Sequence, residues 1–207
     1  MPIFSSKWES YPWKNELSIQ GDRVVVHLHE ALDENFSGAH NPLDMLERSL
    51  TLAAFCIRRM IEKRLVTDDL AATRIEIRTF PANADFRAPF HGRSGSEAYA
   101  NYRLTEPSSV SMLLKDIASE IIHSSQLMIV GGDGVPQDGL LIASDWRLQK
   151  RILHFSITEF SDFVKLVLAD RIGIMSEQWD PETNTVASTR EKLPNANIFK
   201  PTDIDKA

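Results

Sequence analysis

The chain has 207 residues, of which 43% are hydrophobic and 25% are charged, a composition typical of globular proteins. The formal net charge of −6 disfavours a general nucleic-acid binder, which carries an excess of positive charge. The single cysteine, Cys56, excludes an internal disulfide. No secretory signal and no apolar run of membrane-spanning length are found, so we expect a cytoplasmic protein without a membrane segment.

Residues 16–175 are predicted to form one domain in which strand pairs alternate with helices. The first strand pair is predicted at 17–20 and 23–30, where apolar and polar side chains alternate on either side of Gly21. The helix that follows begins at Asn41-Pro42 and ends near Leu65, because Asn suits the N-cap and Pro the first helical position. Its buried stripe has helical spacing and consists of Leu43, Leu46, Leu50, Ala53, Ile57 and Met60.

The same order of elements is predicted twice more along the chain. The further strands are predicted at 74–80, 97–104, 127–130, 140–146 and 151–157, and the further helices begin at Pro107 and at Ser156, which opens a capping box. Each helix is apolar on one side only. We therefore predict an α+β fold: a single two-layer domain with a mostly antiparallel sheet of about six strands in a ββα-ββα-ββα order and helices on one face.

A pair of histidines carries the sharpest chemical signal. The spacing Gly21-x5-His27-x-His29-x4-Glu34 resembles the first half of the cupin metal motif, and the resemblance implies a metal site formed by His27, His29 and Glu34. On a strand, positions 27 and 29 point the same way, so two imidazoles can reach one cation. His91 is an alternative third ligand. The second half of the motif has no match downstream, and three helices do not suit an all-β barrel. The competing interpretation is a pair of exposed histidines on a half-buried strand.

A glycine-containing loop over 85–96 carries the second signal. Arg87, His91 and Arg93 lie close together in it, and guanidinium groups with free backbone N–H groups bind phosphate or carboxylate. The segment 58–103 has nine Lys or Arg against six Asp or Glu. We therefore predict an anion-binding site at Arg87, His91 and Arg93. The alternative is a solvated loop whose arginines pair with neighbouring acids.

Both ends of the chain are predicted to lie outside the domain. Residues 1–15 form an N-terminal arm with the aromatic side chains Trp8, Tyr11 and Trp13, and 176–207 form an extended C-terminal tail without a clear period. Ordered arms need a surface on which to pack. The sequence therefore predicts a homo-oligomer that assembles through its terminal arms.

No strong catalytic signature is present, so the sequence favours a non-catalytic binding or assembly protein that self-associates. One alternative is an enzyme that acts on a phosphate-bearing or other anionic substrate, with or without a metal. A second alternative is a nucleic-acid-associated protein that stacks bases on Phe86 and Phe90, although the negative net charge disfavours nucleic-acid binding. The expected partners are further copies of the chain and a small anionic ligand. The sequence identifies neither catalytic residues nor a cofactor.

Overall fold

The protein is described by a computed structural model over residues 9–87, 98–131 and 139–192. Its helices in this part of the chain are α1 (Tyr11–Leu32), α2 (Pro42–Glu62), α3 (Asp68–Ala72), α4 (Leu114–Ile122) and α5 (Ile157–Ala169). Its strands are β1 (Arg74–Pro81), β2 (Ser108–Leu113), β3 (Ser124–Val130), β4 (Gly139–Ser144), β5 (Arg151–Ser156), β6 (Ile174–Asp180) and β7 (Thr185–Glu191).

Strands β1 to β5 form an antiparallel sheet in the order β2-β1-β5-β4-β3, and β6 and β7 form a separate two-stranded sheet. One face of the large sheet packs against α1, α2, α4 and α5 through the main core, to which Leu140 and Ile142 contribute. The opposite face buries a smaller cluster around Phe80, Tyr102 and Leu141. Strand β4 is buried on both faces, which explains its continuous apolar sequence.

Helices are confirmed at α2 and α5, although Leu43, predicted in the buried stripe of α2, is 45% exposed. The Asn41 side chain accepts a hydrogen bond from the Leu43 N–H at 3.1 Å, which is the expected N-cap of α2. At the start of α5, the Ser156 hydroxyl accepts from the Glu159 N–H at 3.2 Å, and the Glu159 carboxylate accepts from the Ser156 N–H at 2.8 Å. This reciprocal pair is the capping box that the sequence predicts.

The prediction of strands at 17–20 and 23–30 is wrong, because both segments lie within helix α1. The buried residues of α1 recur at helical spacing and are Leu17, Gln20, Gly21, Val24 and Leu28. Gly21 is a packing residue and not a turn. A Cβ atom there would lie 3.1 Å from Cγ1 of Val164 on α5, so glycine allows the two helices to approach closely.

The ββα-ββα-ββα order is also corrected, although the mixed helix-and-sheet class is confirmed. The first strand pair is replaced by α1, and five strands form the main sheet. The helix predicted from Pro107 is strand β2 up to Leu113, and only then becomes α4. Residues 98–104 contain no strand, and Tyr102 forms an isolated bridge with Ala82, which directly follows β1.

Regular structure also extends into both predicted arms. Helix α1 begins at Tyr11, inside the arm predicted over 1–15, whereas Trp8 lies outside the described residues. The β6–β7 hairpin occupies much of the segment predicted as an extended tail. In the described part of the chain, no helix combines the length and apolarity needed to cross a membrane.

Candidate functional site

Two histidines and one glutamate meet where α1 ends and α2 is about to begin. His27 and Glu30 lie three residues apart on α1, which places their side chains on the same helical face. His40 lies immediately before Asn41, the N-cap of α2. The Oε2 atom of Glu30 is 2.8 Å from Nδ1 of His27 and 3.0 Å from Nε2 of His40. One carboxylate oxygen therefore joins two imidazoles from separate parts of the chain.

The connection between the two helices holds His40 in position. The Phe36 ring packs edge-on against the His40 ring, with centroids 5.2 Å apart. An Asx turn in which the Asn35 N–H donates to Oδ1 of Asp33 at 2.9 Å reverses the chain after α1. Gly38 leaves room for the aromatic ring, because a Cβ atom there would lie 2.3 Å from Cζ of Phe36. The loop thus fixes His40 through packing on Phe36.

The electrostatics of the trio favour an ionised carboxylate. Hydrogen bonds from His27 and then from His40 hold the pKa of Glu30 below its ordinary value. Within the described ranges, the polar side-chain contacts of both imidazoles are with Glu30. The three groups are partly open to solvent, with side-chain exposures of 16% for His27, 27% for Glu30 and 40% for His40. An ion could therefore reach the site and keep a position open to water.

The arrangement matches the donor set of a divalent transition metal. One ligand atom from each of His27, Glu30 and His40 lies within 4.8 Å of the others. In a tetrahedral zinc site with bonds of about 2.0 Å, neighbouring ligand atoms are about 3.3 Å apart. The two N···O separations, 2.8 and 3.0 Å, are close to that value, and the two imidazole nitrogens lie within 4.8 Å of each other. Two imidazoles with one carboxylate also form the ligand set preferred by such ions.

Of the three residues that the sequence assigns to a metal site, only His27 belongs to the cluster with Glu30 and His40. Because 27–29 is helical, His29 points away from His27, and its Nδ1 atom is 2.8 Å from the Val25 carbonyl oxygen. Glu34 is exposed in the turn after α1 and does not belong to the cluster. Glu30 and His40 take their places. The i,i+3 spacing of His27 and Glu30 would have identified one of them once the segment was taken as a helix.

The predicted anion-binding loop lies largely beyond the described residues. His91 and Arg93 fall within 88–97, outside the described ranges, as does Phe90. Arg87 is exposed, and its backbone is held by Asn101, which accepts from the Arg87 N–H at 3.1 Å and donates to the Arg87 carbonyl at 2.8 Å. Anion binding by Arg87, His91 and Arg93 therefore stays a prediction.

An apolar cavity of about 360 Å³ opens between β1 and α5. Its acidic lining residues are already engaged in structural contacts. Glu159 closes the capping box with Ser156, Asp162 pairs with Lys165 at 3.1 Å, and Glu76 accepts from the Ser109 hydroxyl at 3.2 Å. These polar groups have local partners, so the His27–Glu30–His40 cluster is the stronger candidate for chemistry.

No family model, curated protein or solved structure matches the chain.

Proposed function

We propose that the protein is a non-catalytic metal-binding protein whose ligands are His27, Glu30 and His40. The observation that carries this proposal is the approach of both imidazole nitrogens to one oxygen of Glu30, at 2.8 and 3.0 Å. The expected ion is Zn²⁺, because tetrahedral coordination by two nitrogens and one carboxylate oxygen suits it well. Water occupies the fourth position, on the exposed side of the cluster.

Such an ion would connect the last turn of α1 to the segment that precedes α2. These two helices pack against each other and supply a large part of the main core. A metal bound in the folded state and not in the unfolded chain stabilises folding by mass action. Among the described residues, no further acid or base joins the cluster, which favours a non-catalytic role.

The test is calorimetric titration of the metal-free protein with Zn²⁺. The proposal predicts one ion per chain and a loss of affinity greater than about 100-fold in His40→Ala, since removal of a ligand exceeds the effect of outer-shell changes. His29→Ala is the matched control, because His29 lies on the same helix and, among the described residues, its ring contacts the Val25 carbonyl and not Glu30. The control should bind Zn²⁺ like the wild type.

A thermal measurement provides a second readout. At a free Zn²⁺ concentration of about 100 times Kd, binding contributes about 2.7 kcal/mol, which raises Tm by about 5–10 °C in a chain of this size. His40→Ala should lose this increase and His29→Ala should keep it. Equal losses in both variants, or no Zn²⁺-dependent increase in the wild type, would refute the proposal.

A further inference from the structure

The β6–β7 hairpin, residues 174–191, presents an apolar face to solvent. Trp179 lies opposite Val186 in the strand register, and Met175 lies on the same face of β6. These side chains are 53% exposed at Met175, 55% at Trp179 and 52% at Val186. An isolated two-stranded hairpin is marginally stable in water. The hairpin therefore exposes three apolar side chains, with Glu177 between Met175 and Trp179 on the same face, and contact with a second body would stabilise it.

Polar contacts from the body of the protein reach the hairpin at Ser188 and Arg190 of β7. The Arg64 guanidinium donates to the Ser188 hydroxyl at 2.6 Å and also to the Ser188 carbonyl. The backbone N–H of Arg190 donates to Oδ2 of Asp68 at 2.9 Å. Ser188 and Arg190 share the face that carries Trp179 and Val186. The face that docks on the body near Arg190 thus continues to the hairpin tip, where it is uncovered.

A cleft of about 510 Å³, here called the α1 cleft, lies beside the start of the hairpin. It is lined by Tyr11 and Lys14 at the beginning of α1 and by Arg171 and Ile172 just before β6. Two basic side chains and one acidic side chain, Glu9, line it. The Lys14 ammonium already donates to the carbonyl oxygens of Leu168 and Asp170, so Arg171 is the basic group that an incoming carboxylate would meet. Tyr11, with 75% of its surface exposed, offers an aromatic ring to an incoming side chain. The cleft can therefore receive an apolar, acidic segment.

The hairpin has the complementary charge. Its residues 174–191 contain four carboxylates and one arginine, and Asp180 and Glu182 lie at the turn, beside Trp179. Because the α1 cleft and the hairpin are adjacent, a two-fold rotation can place each hairpin on the other copy's cleft, so that both contacts form together. Electrostatic complementarity of this kind favours the correct pairing of surfaces.

We propose that two copies of the chain form a homodimer in which the β6–β7 hairpin of each copy packs into the α1 cleft of the other. Trp179 lies at the centre of each contact, and Glu182 faces Arg171. This assembly does not depend on the metal site. A stable dimer of this kind needs roughly 800 Å² of surface buried on each partner. Each copy contributes both its hairpin and its cleft, so the hairpin–cleft contact forms twice in the dimer.

Sedimentation equilibrium over a concentration series tests the first part of the proposal. The wild type should be a dimer, and Trp179→Ser should weaken dimerisation by at least about 30-fold, as the loss of a central tryptophan does. Trp146→Ser is the matched control, because Trp146 is also 55% exposed but lies in the turn between β4 and β5. Circular dichroism and Tm should show that both variants stay folded.

A charge exchange tests which surfaces meet and does not depend on Trp179. Glu182→Lys and Arg171→Glu should each weaken the dimer by about tenfold, and the double variant should restore it. Failure of the double variant to restore the dimer overturns the proposal, as does an equal effect of Trp146→Ser. The proposal is also overturned if the wild type is a monomer that dimerises only after deletion of 193–207. That result would mean that this segment, and not a second copy, covers the hairpin face.

Discussion

Replacement of Asp170 by alanine should destabilise the protein by about 4 kcal/mol. Asp170 follows α5, is 1% exposed, and accepts from the Thr67 N–H at 2.8 Å and from the Thr67 hydroxyl at 2.6 Å. Thr67 is fully buried, so truncation leaves two buried donors without this acceptor. Each buried donor that loses its partner costs about 1–3 kcal/mol. The ion pair with Lys192, at 3.6 Å, adds little because Lys192 is largely exposed.

Urea unfolding should show this loss as a lower midpoint at an unchanged m value, and Tm should fall by about 8–16 °C. Asp170→Asn keeps one oxygen acceptor and should lose about half as much. The matched control is Asp162→Ala, because Asp162 is an exposed acid on α5 that pairs with Lys165, and its loss should stay within about 0.5 kcal/mol. A loss below about 1 kcal/mol in Asp170→Ala would show that the contact with Thr67 does not hold α3 to the end of α5.

Three further predictions concern the candidate sites. Gly38→Ala should weaken Zn²⁺ binding about tenfold in calorimetry, because the added methyl group displaces Phe36 from the metal site. Glu30→Gln should lower the urea midpoint of the metal-free protein at pH 6, and the difference from the wild type should shrink as pH falls below 4.5. The pKa of Glu30 is lowered on folding, so its contribution is complete above the ordinary value of 4.5 and is lost as pH falls through the lowered value. Phosphate binding measured by calorimetry should disappear when Arg87 and Arg93 are both alanine, with little change in Tm; an unchanged affinity would reject the anion site.

The long helices show which parts of the fold can be read from local sequence. Helix α2 has a proline at its first position, an asparagine cap and an apolar stripe, and these signals agree. Helix α1 offers conflicting signals, because Val24, Val25 and Val26 favour a strand and Gly21 favours a turn. Tertiary packing decides the outcome, since Gly21 lets α1 approach Val164 on α5. Gly21 and Val164 are far apart in sequence, so no local sequence pattern predicts their contact.

The candidate site likewise has one part that local sequence predicts and one part that it does not. His27 and Glu30 are three residues apart on one helix, so their proximity follows from the helical assignment alone. His40 joins them through the fold of the loop after α1, with Phe36 packed on its ring. No spacing rule connects position 40 to position 30, because loop conformation depends on several weak contacts. The β2 strand likewise depends on its pairing with β1, which a helical reading of 107–121 does not detect.

The most direct test of the central claim is the position of a bound ion in crystals of the Zn²⁺-loaded protein, located by anomalous scattering at the zinc edge. The account predicts one strong peak about 2.0 Å from a nitrogen of His27, a nitrogen of His40 and a carboxylate oxygen of Glu30. A peak at His29 or Glu34, or no peak between α1 and the segment before α2 in protein that binds Zn²⁺ in solution, would contradict it.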